Sequence, residues 1–158
     1  MKKERGRIPF VPSPHDVVEK MLSLADPRSD ELLIDLGSGD GRIVISAAEN
    51  YRCSALGVEI DKDLVGKARE KILRKSPINA QIVHGDLFNF DFSKADVVTL
   101  YLLPSTLEIL KPKLLSLRKG ARIVCHDFAI PGVKPSDVIF TKSWFTNKIH
   151  KIYVYEIS

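Results

Sequence analysis

The sequence predicts a doubly wound α/β fold, and three observations support this prediction. Apolar runs of strand length alternate with helical segments along most of the chain. The length of 158 residues suits one domain with a single buried core. The last two apolar runs have no helix between them, which favours an antiparallel hairpin. We therefore expect a mostly parallel, seven-stranded sheet that is covered on both faces and ends in a C-terminal hairpin.

The first helix is predicted within "SPHDVVEKMLSLA", after a short extended arm. Ser13 has the side chain of a helix cap, and Pro14 suits the first helical position. The apolar residues that follow recur on one helical face. Asp26 and Pro27 end the helix.

The strands and later helices follow from the alternating apolar runs. The seven strand candidates are LLIDLG, SALGVEI, AQIVHGD, DVVTLYLL, ARIVCHDF, DVIFTKSWF and KIHKIYVYEIS. Helices are expected over 41–50, about 62–75 and about 105–117, and a turn near Thr146-Asn147 joins the last two strands. The single domain 1–158 then divides into an arm and helix at 1–28, a core at 29–128 and a hairpin at 129–158.

Composition limits the classes of function. The two cysteines, Cys53 and Cys125, are far apart in apolar surroundings, which predicts reduced core thiols rather than a disulfide or a metal site. No apolar run reaches the length of a membrane span. We expect a soluble, cytoplasmic monomer.

The formal net charge is +4, from 24 Lys and Arg against 20 Asp and Glu. Basic residues gather at the amino end, over 67–75 and over 111–122, and such surfaces can attract nucleic acid or an acidic partner. Acidic residues are mixed among them, as on ordinary solvated helix faces. Nucleic-acid binding therefore stays open.

The turn after the first strand reads "IDLGSGDGR" and predicts a cofactor site. Gly37, Gly39 and Gly41 let the backbone pass close to a ligand at the carboxyl end of the strand. The loop lacks the lysine of a P-loop and has GxGxG instead of the dinucleotide pattern GxGxxG. Asp35 and Asp40 would repel a pyrophosphate but suit a cation. S-adenosylmethionine carries both an ammonium and a sulfonium group.

Two further strand ends carry acids. Glu59 lies 22 positions after Gly37, a spacing at which its carboxylate can bind both ribose hydroxyls. This feature alone fits NAD equally well. At the end of the third strand, Asp86 can accept a hydrogen bond from an adenine amino group, and Leu87 can cover the ring.

These motifs, within residues 30–128, resemble those of class I S-adenosylmethionine-dependent methyltransferases, which have a Rossmann-like fold. The resemblance implies that the glycine loop holds the methionine part, the second strand end the ribose and the third the adenine. The implied cofactor residues are Asp35, Leu36, Gly37, Ser38, Gly39, Asp40, Gly41, Glu59, Ile60, Asp86 and Leu87.

A narrower resemblance is carried by "PFVPSPHDVVEKML", "LYLLP", "LKPKL" and "GARIVCHDF". These segments are similar to a small family of archaeal and mitochondrial protein-lysine methyltransferases. The resemblance implies that Phe10, Pro12 and Ser13 lie across the cofactor. It also implies protein substrates, a direct in-line methyl transfer without a metal, and a lysine site near four catalytic residues: Tyr101, Leu102, His126 and Phe128.

Other substrate classes have less support. The fourth strand end lacks the D/N-P-P-Y/F/W motif of enzymes that methylate base amino groups, and Cys125 lacks the context of a cytosine C5 nucleophile. An RNA methyltransferase remains the alternative because of the basic clusters. A cofactor-binding module without catalysis is a further alternative.

Overall fold

The computed structural model describes residues 10–77 and 79–158, and within them the strands form one seven-stranded sheet. The helices are α1 (His15–Ala25), α2 (Arg42–Tyr51), α3 (Lys62–Lys75) and α4 (Pro104–Leu115). The strands are β1 (Leu32–Leu36), β2 (Ser54–Glu59), β3 (Ala80–His84), β4 (Val97–Leu100), β5 (Arg122–His126), β6 (Asp137–Lys142) and β7 (Ile149–Glu156).

The sheet has the order β3-β2-β1-β4-β5-β7-β6. The strands from β3 to β5 are parallel, whereas β7 is antiparallel to both β5 and β6. This arrangement confirms the predicted α/β sheet with a C-terminal hairpin. The chain runs outward from β1 to β3 and then returns to the other side of β1 at β4. Ligands of open α/β sheets bind at the carboxyl ends of the strands beside such a reversal.

Two hydrophobic clusters cover the faces of the sheet. One contains the buried faces of α1, α2 and α3, with residues such as Val18, Met21 and Val44. The other contains the buried face of α4, with Leu107, Leu110 and Leu114. Cys53 and Cys125 are buried free thiols, as predicted, and burial raises the pKa of both.

The start of α1 differs from the prediction. Pro14 occupies the cap position, the helix begins at His15, and no side chain caps it. The Ser13 hydroxyl instead shares a 2.7 Å hydrogen bond with Nδ1 of the buried His126. The prediction that Ser13 caps the helix was therefore wrong. Its hydroxyl is hydrogen-bonded to a buried imidazole of β5 and does not bond to the backbone of the first helical turn.

The turn between β6 and β7 is fastened to α1. The Ser143 hydroxyl donates to Asp16 Oδ1 at 2.9 Å, and the Trp144 backbone N–H donates to Asp16 Oδ2 at 2.7 Å. Asn147, in the predicted turn, has a φ of 55°. These bonds hold the C-terminal hairpin beside the arm that leads into the site.

No helix among residues 10–77 and 79–158 is both long and apolar enough to cross a membrane.

Candidate active site

The glycine loop lies at the carboxyl end of β1, where the sheet order reverses. Gly37, Gly39 and Gly41 have φ values of 78°, 59° and 80°, in the left-handed region. The backbone N–H groups of Gly37 and Ser38 both donate to the Val58 carbonyl at 2.9 Å. These bonds fix the loop against the end of β2.

The arm contacts the glycine loop at Gly39. A Cβ atom at this glycine would clash with Cε2 of Phe10 and would lie 2.9 Å from its Cδ2. Phe10 is 45% exposed, and the neighbouring Pro12 is also exposed. The missing side chain at position 39 therefore lets an aromatic ring lie directly on the loop.

Asp35, the acid at the end of β1, is almost fully buried. Thr99 on the adjacent strand β4 donates its hydroxyl to Asp35 Oδ1 at 2.8 Å. Burial raises the pKa of Asp35 to about 7, although the hydrogen bond from Thr99 favours the ionised form. A cation placed beside this carboxylate would stabilise the ionised form.

Asp40 lies in the same loop but already has cationic partners. The Arg42 guanidinium donates two hydrogen bonds to its carboxylate, at 3.0 and 2.8 Å, the Arg42 backbone N–H donates another at 3.3 Å, and Lys71 Nζ donates one at 2.9 Å. Burial alone would raise the pKa of Asp40, but the bonds from Arg42 and Lys71 hold it well below its usual range. The structure thus shows Asp40 in an ion-pair network that joins the loop to α3. Arg42 also donates to the Ser13 carbonyl at 3.0 Å, which ties the arm to this network.

Glu59 ends β2 with its carboxylate against the glycine loop. Oε1 accepts a hydrogen bond from the Gly39 N–H at 2.7 Å, and Oε2 accepts one from the Asp61 N–H at 2.8 Å. Each oxygen has a second lone pair, so the carboxylate can still bind a diol. The adjacent Ile60 is 40% exposed.

The third strand end supplies the remaining predicted cofactor residues. Asp86 follows β3 and is partly buried, and its Oδ1 accepts the Phe88 N–H at 2.9 Å. Leu87 is buried, and its Cδ2 would lie 3.9 Å from a Cβ at Gly37. The ends of β1, β2 and β3 thus meet around one loop.

The residues present fit S-adenosylmethionine. Among the described residues, the Ser38 hydroxyl is the one buried side-chain polar atom without a hydrogen-bond partner. This hydroxyl lies against Gly57 of β2, inside the fold, whereas the left-handed glycines of the loop leave no side chain between the backbone and a ligand. The acids at three strand ends offer acceptors for the amino and hydroxyl groups of this cofactor.

The catalytic residues predicted from the narrower resemblance form an aromatic cluster at the ends of β4 and β5. The Tyr101 ring lies over the His126 ring, with centroids 3.9 Å apart, and 6.2 Å from the Phe128 centroid. Tyr101 and Phe128 are half-buried. Leu102, the next residue, is buried against the loop, since its Cδ2 would lie 3.2 Å from a Cβ at Gly37.

His126 lies deeper than a general base would. Its ring is fully buried, Nδ1 is hydrogen-bonded to Ser13 and Nε2 is hydrogen-bonded to His150 at 2.8 Å. Burial lowers its pKa to about 4, although the neighbouring Asp127 favours the charged form. The ring therefore supports Tyr101 from below and has no nitrogen free to face a substrate.

Two hydrogen-bond partners of the site residues, Thr99 and His150, were not predicted from the sequence. Thr99, which holds Asp35, is a polar residue inside an apolar strand, and that contrast was a usable signal. His150 carries no local signal, because it lies in an alternating strand and meets His126 only through the pairing of β7 with β5.

Comparisons with known proteins agree with this geometry. The family described as the ANTKMT methyltransferase domain matches residues 35–137. A protein-lysine N-methyltransferase of Saccharolobus islandicus is 41% identical over 153 residues, which cover 95% of this chain and 94% of that protein. The adenine nucleotide translocase lysine N-methyltransferase of Mus musculus is 36% identical; the match covers 85% of this chain and 59% of that protein.

Solved structures give the same result for the fold. An RNA methyltransferase from Salinibacter ruber, in complex with S-adenosyl-L-homocysteine, has a TM-score of 0.86 and 42% identity, with 93% of this chain and 94% of that chain covered. TrmN from Thermus thermophilus has a TM-score of 0.77 over 91% of this chain and 49% of that chain, at 18% identity, which shows the shared fold alone. Because the family match covers well over half of the chain and includes the glycine loop and all three acidic strand ends, the chain belongs to the ANTKMT methyltransferase domain family and is an S-adenosylmethionine-dependent methyltransferase.

Proposed function

We propose that the enzyme methylates lysine side chains of proteins. The observation that carries the proposal is the half-buried pair of Tyr101 and Phe128, which lies at the strand ends next to the glycine loop. The 41% identity to a protein named as a protein-lysine N-methyltransferase supports the same substrate class.

The bound cofactor would be held by the glycine loop, Asp35, Glu59 and Asp86, with Phe10 covering the loop. When bound, S-adenosylmethionine would supply an electrophilic methyl group for in-line attack by a neutral amine, with the thioether S-adenosylhomocysteine as the leaving group. The protein's task is to bring that amine to near-attack distance and to exclude water.

The aromatic cluster suits this task. A lysine amine has a solution pKa of about 10.4 and must lose a proton before it attacks. Apolar surroundings favour the neutral amine, and the aromatic faces of Tyr101 and Phe128 attract the cation that forms again after transfer. Burial, together with Asp127, raises the pKa of Tyr101, so its hydroxyl keeps its proton at neutral pH. Both rings are partly exposed, so the proton lost by the amine can pass to water.

RNA is the second candidate substrate, because the Salinibacter ruber relative is described as an RNA methyltransferase. The basic residues over 111–122 support it less than their number suggests. Arg118 binds Asp96 and Glu31, Arg122 binds Glu31, and Lys111 lies 3.9 Å from Glu108. Much of the positive charge in this cluster is therefore paired within the fold.

A labelling experiment separates the two substrates. The enzyme is incubated with methyl-labelled S-adenosylmethionine and a pool of mixed proteins and RNA, and each product is then digested with protease or ribonuclease. We expect label that protease releases, ribonuclease leaves intact and acid hydrolysis converts to methyllysine. Label confined to ribonuclease-sensitive material would contradict the proposal.

Two matched variants control this experiment. Glu59→Gln removes the charge that we assign to ribose binding, and at a cofactor concentration below the parent's dissociation constant the label should fall about tenfold or more. Glu70→Gln changes an exposed residue of α3 by the same chemistry and should leave the label unchanged.

A further inference from the structure

A second group of ligand-type side chains lies at the junction of β5 and β7, beneath the Tyr101 ring. It consists of His126, Asp127 and His150, which we call the histidine–aspartate cluster. His126 Nε2 lies 2.8 Å from His150 Nδ1, and Asp127 Oδ2 lies 3.4 Å from each of these nitrogens. Three atoms of the kinds that bind metals therefore form one small triangle.

The triangle has three atoms that can accept a hydrogen bond but only one proton between them. Between two neutral imidazoles, one nitrogen donates a proton and the other accepts it. The Asp127 oxygen faces the same pair at 3.4 Å and makes no hydrogen bond to either ring. One shared proton leaves two acceptors in the triangle; when both histidines carry their protons on the outer nitrogens, Nδ1 of His126 and Nε2 of His150, all three atoms direct lone pairs at one point. Such a point attracts a cation.

The backbone is arranged to aim the carboxylate at this point. Asp127 has a φ of 61°, in the left-handed region, where a side chain other than glycine is uncommon. Its other oxygen, Oδ1, accepts the Lys151 N–H at 3.0 Å, and its own N–H donates to the Lys151 carbonyl at 2.7 Å. The carboxylate is therefore fastened to β7 on one side, and its second oxygen faces the two histidines.

The outer hydrogen bonds are compatible with metal-binding histidines, because the hydroxyls of Ser13 and Thr146 can accept the ring N–H groups that face away from a metal. Such histidines use one ring nitrogen for the metal and bond the other to a fixed polar group. Here His126 Nδ1 bonds the Ser13 hydroxyl at 2.7 Å, and His150 Nε2 bonds the Thr146 hydroxyl at 2.9 Å. Both inner nitrogens thus point at the triangle while both outer nitrogens are held.

We propose that His126 Nε2, His150 Nδ1 and Asp127 Oδ2 bind a divalent transition-metal ion of the Zn²⁺ class. In a tetrahedral zinc site, with bonds of about 2.0–2.1 Å, neighbouring ligand atoms lie about 3.3 Å apart. The two separations of 3.4 Å already match, and the histidine pair needs to open by about 0.5 Å as the metal replaces the shared proton. The partly exposed carboxylate provides access and leaves the fourth position to water.

The metal has a structural role in this proposal. It joins the end of β5 to the antiparallel strand β7 directly beneath Tyr101, and it takes no part in methyl transfer. The inference therefore does not depend on the identity of the methylated substrate, and its test measures metal binding alone.

The test uses the untagged full chain, treated with a chelator and then titrated with Zn²⁺ or Co²⁺. We expect about one equivalent of metal per chain, a visible Co²⁺ spectrum of tetrahedral type and a higher unfolding temperature with Zn²⁺. His150→Gln and Asp127→Asn should each weaken binding by at least about 100-fold, more than the change typical of an outer-shell substitution. His15→Gln removes an exposed imidazole outside the cluster and should bind metal as the parent does.

Two results would overturn the inference. One is a parent protein that binds no metal; the cluster is then a hydrogen-bonded network only. The other is equal metal binding by the parent and by both cluster variants. If His150→Gln does not fold, Asp127→Asn decides the question, because it keeps the size of the side chain and removes its charge.

Discussion

At the scale of single residues, Asp35 has the most informative environment. It is almost fully buried, its hydrogen-bonded partner Thr99 is neutral, and its pKa is raised to about 7. A buried carboxylate without a cation is unfavourable. A ligand with an ammonium or sulfonium group would offset this unfavourable free energy. Its binding is therefore stabilised by the charge of Asp35.

This environment predicts a pH dependence of cofactor binding. In the free protein Asp35 takes up a proton as the pH falls through about 7, whereas in the unfolded chain it does so near its ordinary value of 3.8. Above pH 7 the charged, buried group opposes folding but is ready for a cation; below pH 7 the cation must displace a proton. The affinity for S-adenosylmethionine should therefore fall up to about tenfold per pH unit from pH 7 to about 5.5.

Calorimetric titration across this range checks the prediction. Asp35→Asn keeps an oxygen that can accept the Thr99 hydroxyl and should bind more weakly at pH 7.5, without the fall in affinity below pH 7. If the affinity of Asp35→Asn fell with pH as steeply as that of the parent, a group other than Asp35 would be responsible for the pH dependence.

The residues that could and could not be predicted differ in the range of their interactions. Glu59 could be predicted because a strand end and a fixed spacing place it near the loop. The bond from Lys71 to Asp40 could not, because Lys71 reaches the loop from another helix. Ser13 was misplaced as a helix cap for the same reason, since its partner His126 is 113 positions away in the sequence.

At the scale of elements, the glycine loop and the arm act as one unit. Gly39 lacks a side chain where the Phe10 ring lies, and it also has a positive φ. An alanine there would meet the ring and would be strained by its backbone conformation.

A pair of glycine substitutions tests this unit. Gly39→Ala should displace Phe10 and weaken cofactor binding by about tenfold or more, because the strain and the clash together amount to more than about 1.4 kcal/mol. Gly66→Ala lies within α3, where an added Cβ has no atom within 4 Å, and should stabilise the fold by up to about 1 kcal/mol without changing affinity. Cofactor titration and thermal unfolding of both variants measure this difference in affinity and stability. Equal cofactor affinities of Gly39→Ala and Gly66→Ala would contradict the role of the glycine loop in cofactor binding.

The elements themselves were largely predictable, since strand and helix periods are local properties of the chain. The helix predicted at about 62–75 is observed at Lys62–Lys75, and the helix predicted at about 105–117 is observed at Pro104–Leu115. The strand order was not predictable in this way, because the pairing of β7 between β5 and β6 is set by packing across the sheet.

At the scale of the whole molecule, the two ends of the strands have different roles. The carboxyl ends of β1, β2 and β3 carry the cofactor site, whereas the amino ends of β1 and β5 carry an ion-pair network around Glu31. Arg122 donates to both Glu31 oxygens, at 2.7 and 2.8 Å, and also to the Ala25 carbonyl at the end of α1. This network ties the first helix to the sheet away from the chemistry.

The network predicts an acid-sensitive stability. Hydrogen bonds from Arg122 lower the pKa of Glu31 to about 2, despite its burial. A lowered pKa means that the stabilisation is complete above the unfolded value of about 4.5 and is lost as the pH falls towards 2. Glu31→Gln should lower the free energy of unfolding at pH 7 by about 2 kcal/mol and flatten its fall below pH 4.5.

Denaturant unfolding at several pH values measures this effect. Glu108→Gln removes an exposed carboxylate that lies 3.9 Å from Lys111 and should change the free energy of unfolding by less than about 0.5 kcal/mol. Equal effects of the two variants would contradict the assignment of Glu31. The monomeric state and the cytoplasmic location remain predictions from the sequence.

The central claim is that a cationic cofactor lies over the glycine loop and is held by acids at neighbouring strand ends. Calorimetry with S-adenosylmethionine, NAD and the Glu59→Gln variant tests it most directly. We predict saturable binding of S-adenosylmethionine to the parent, no binding of NAD and a loss of affinity of about tenfold or more in the variant. Binding of NAD in place of S-adenosylmethionine, or a variant that binds as tightly as the parent, would contradict it.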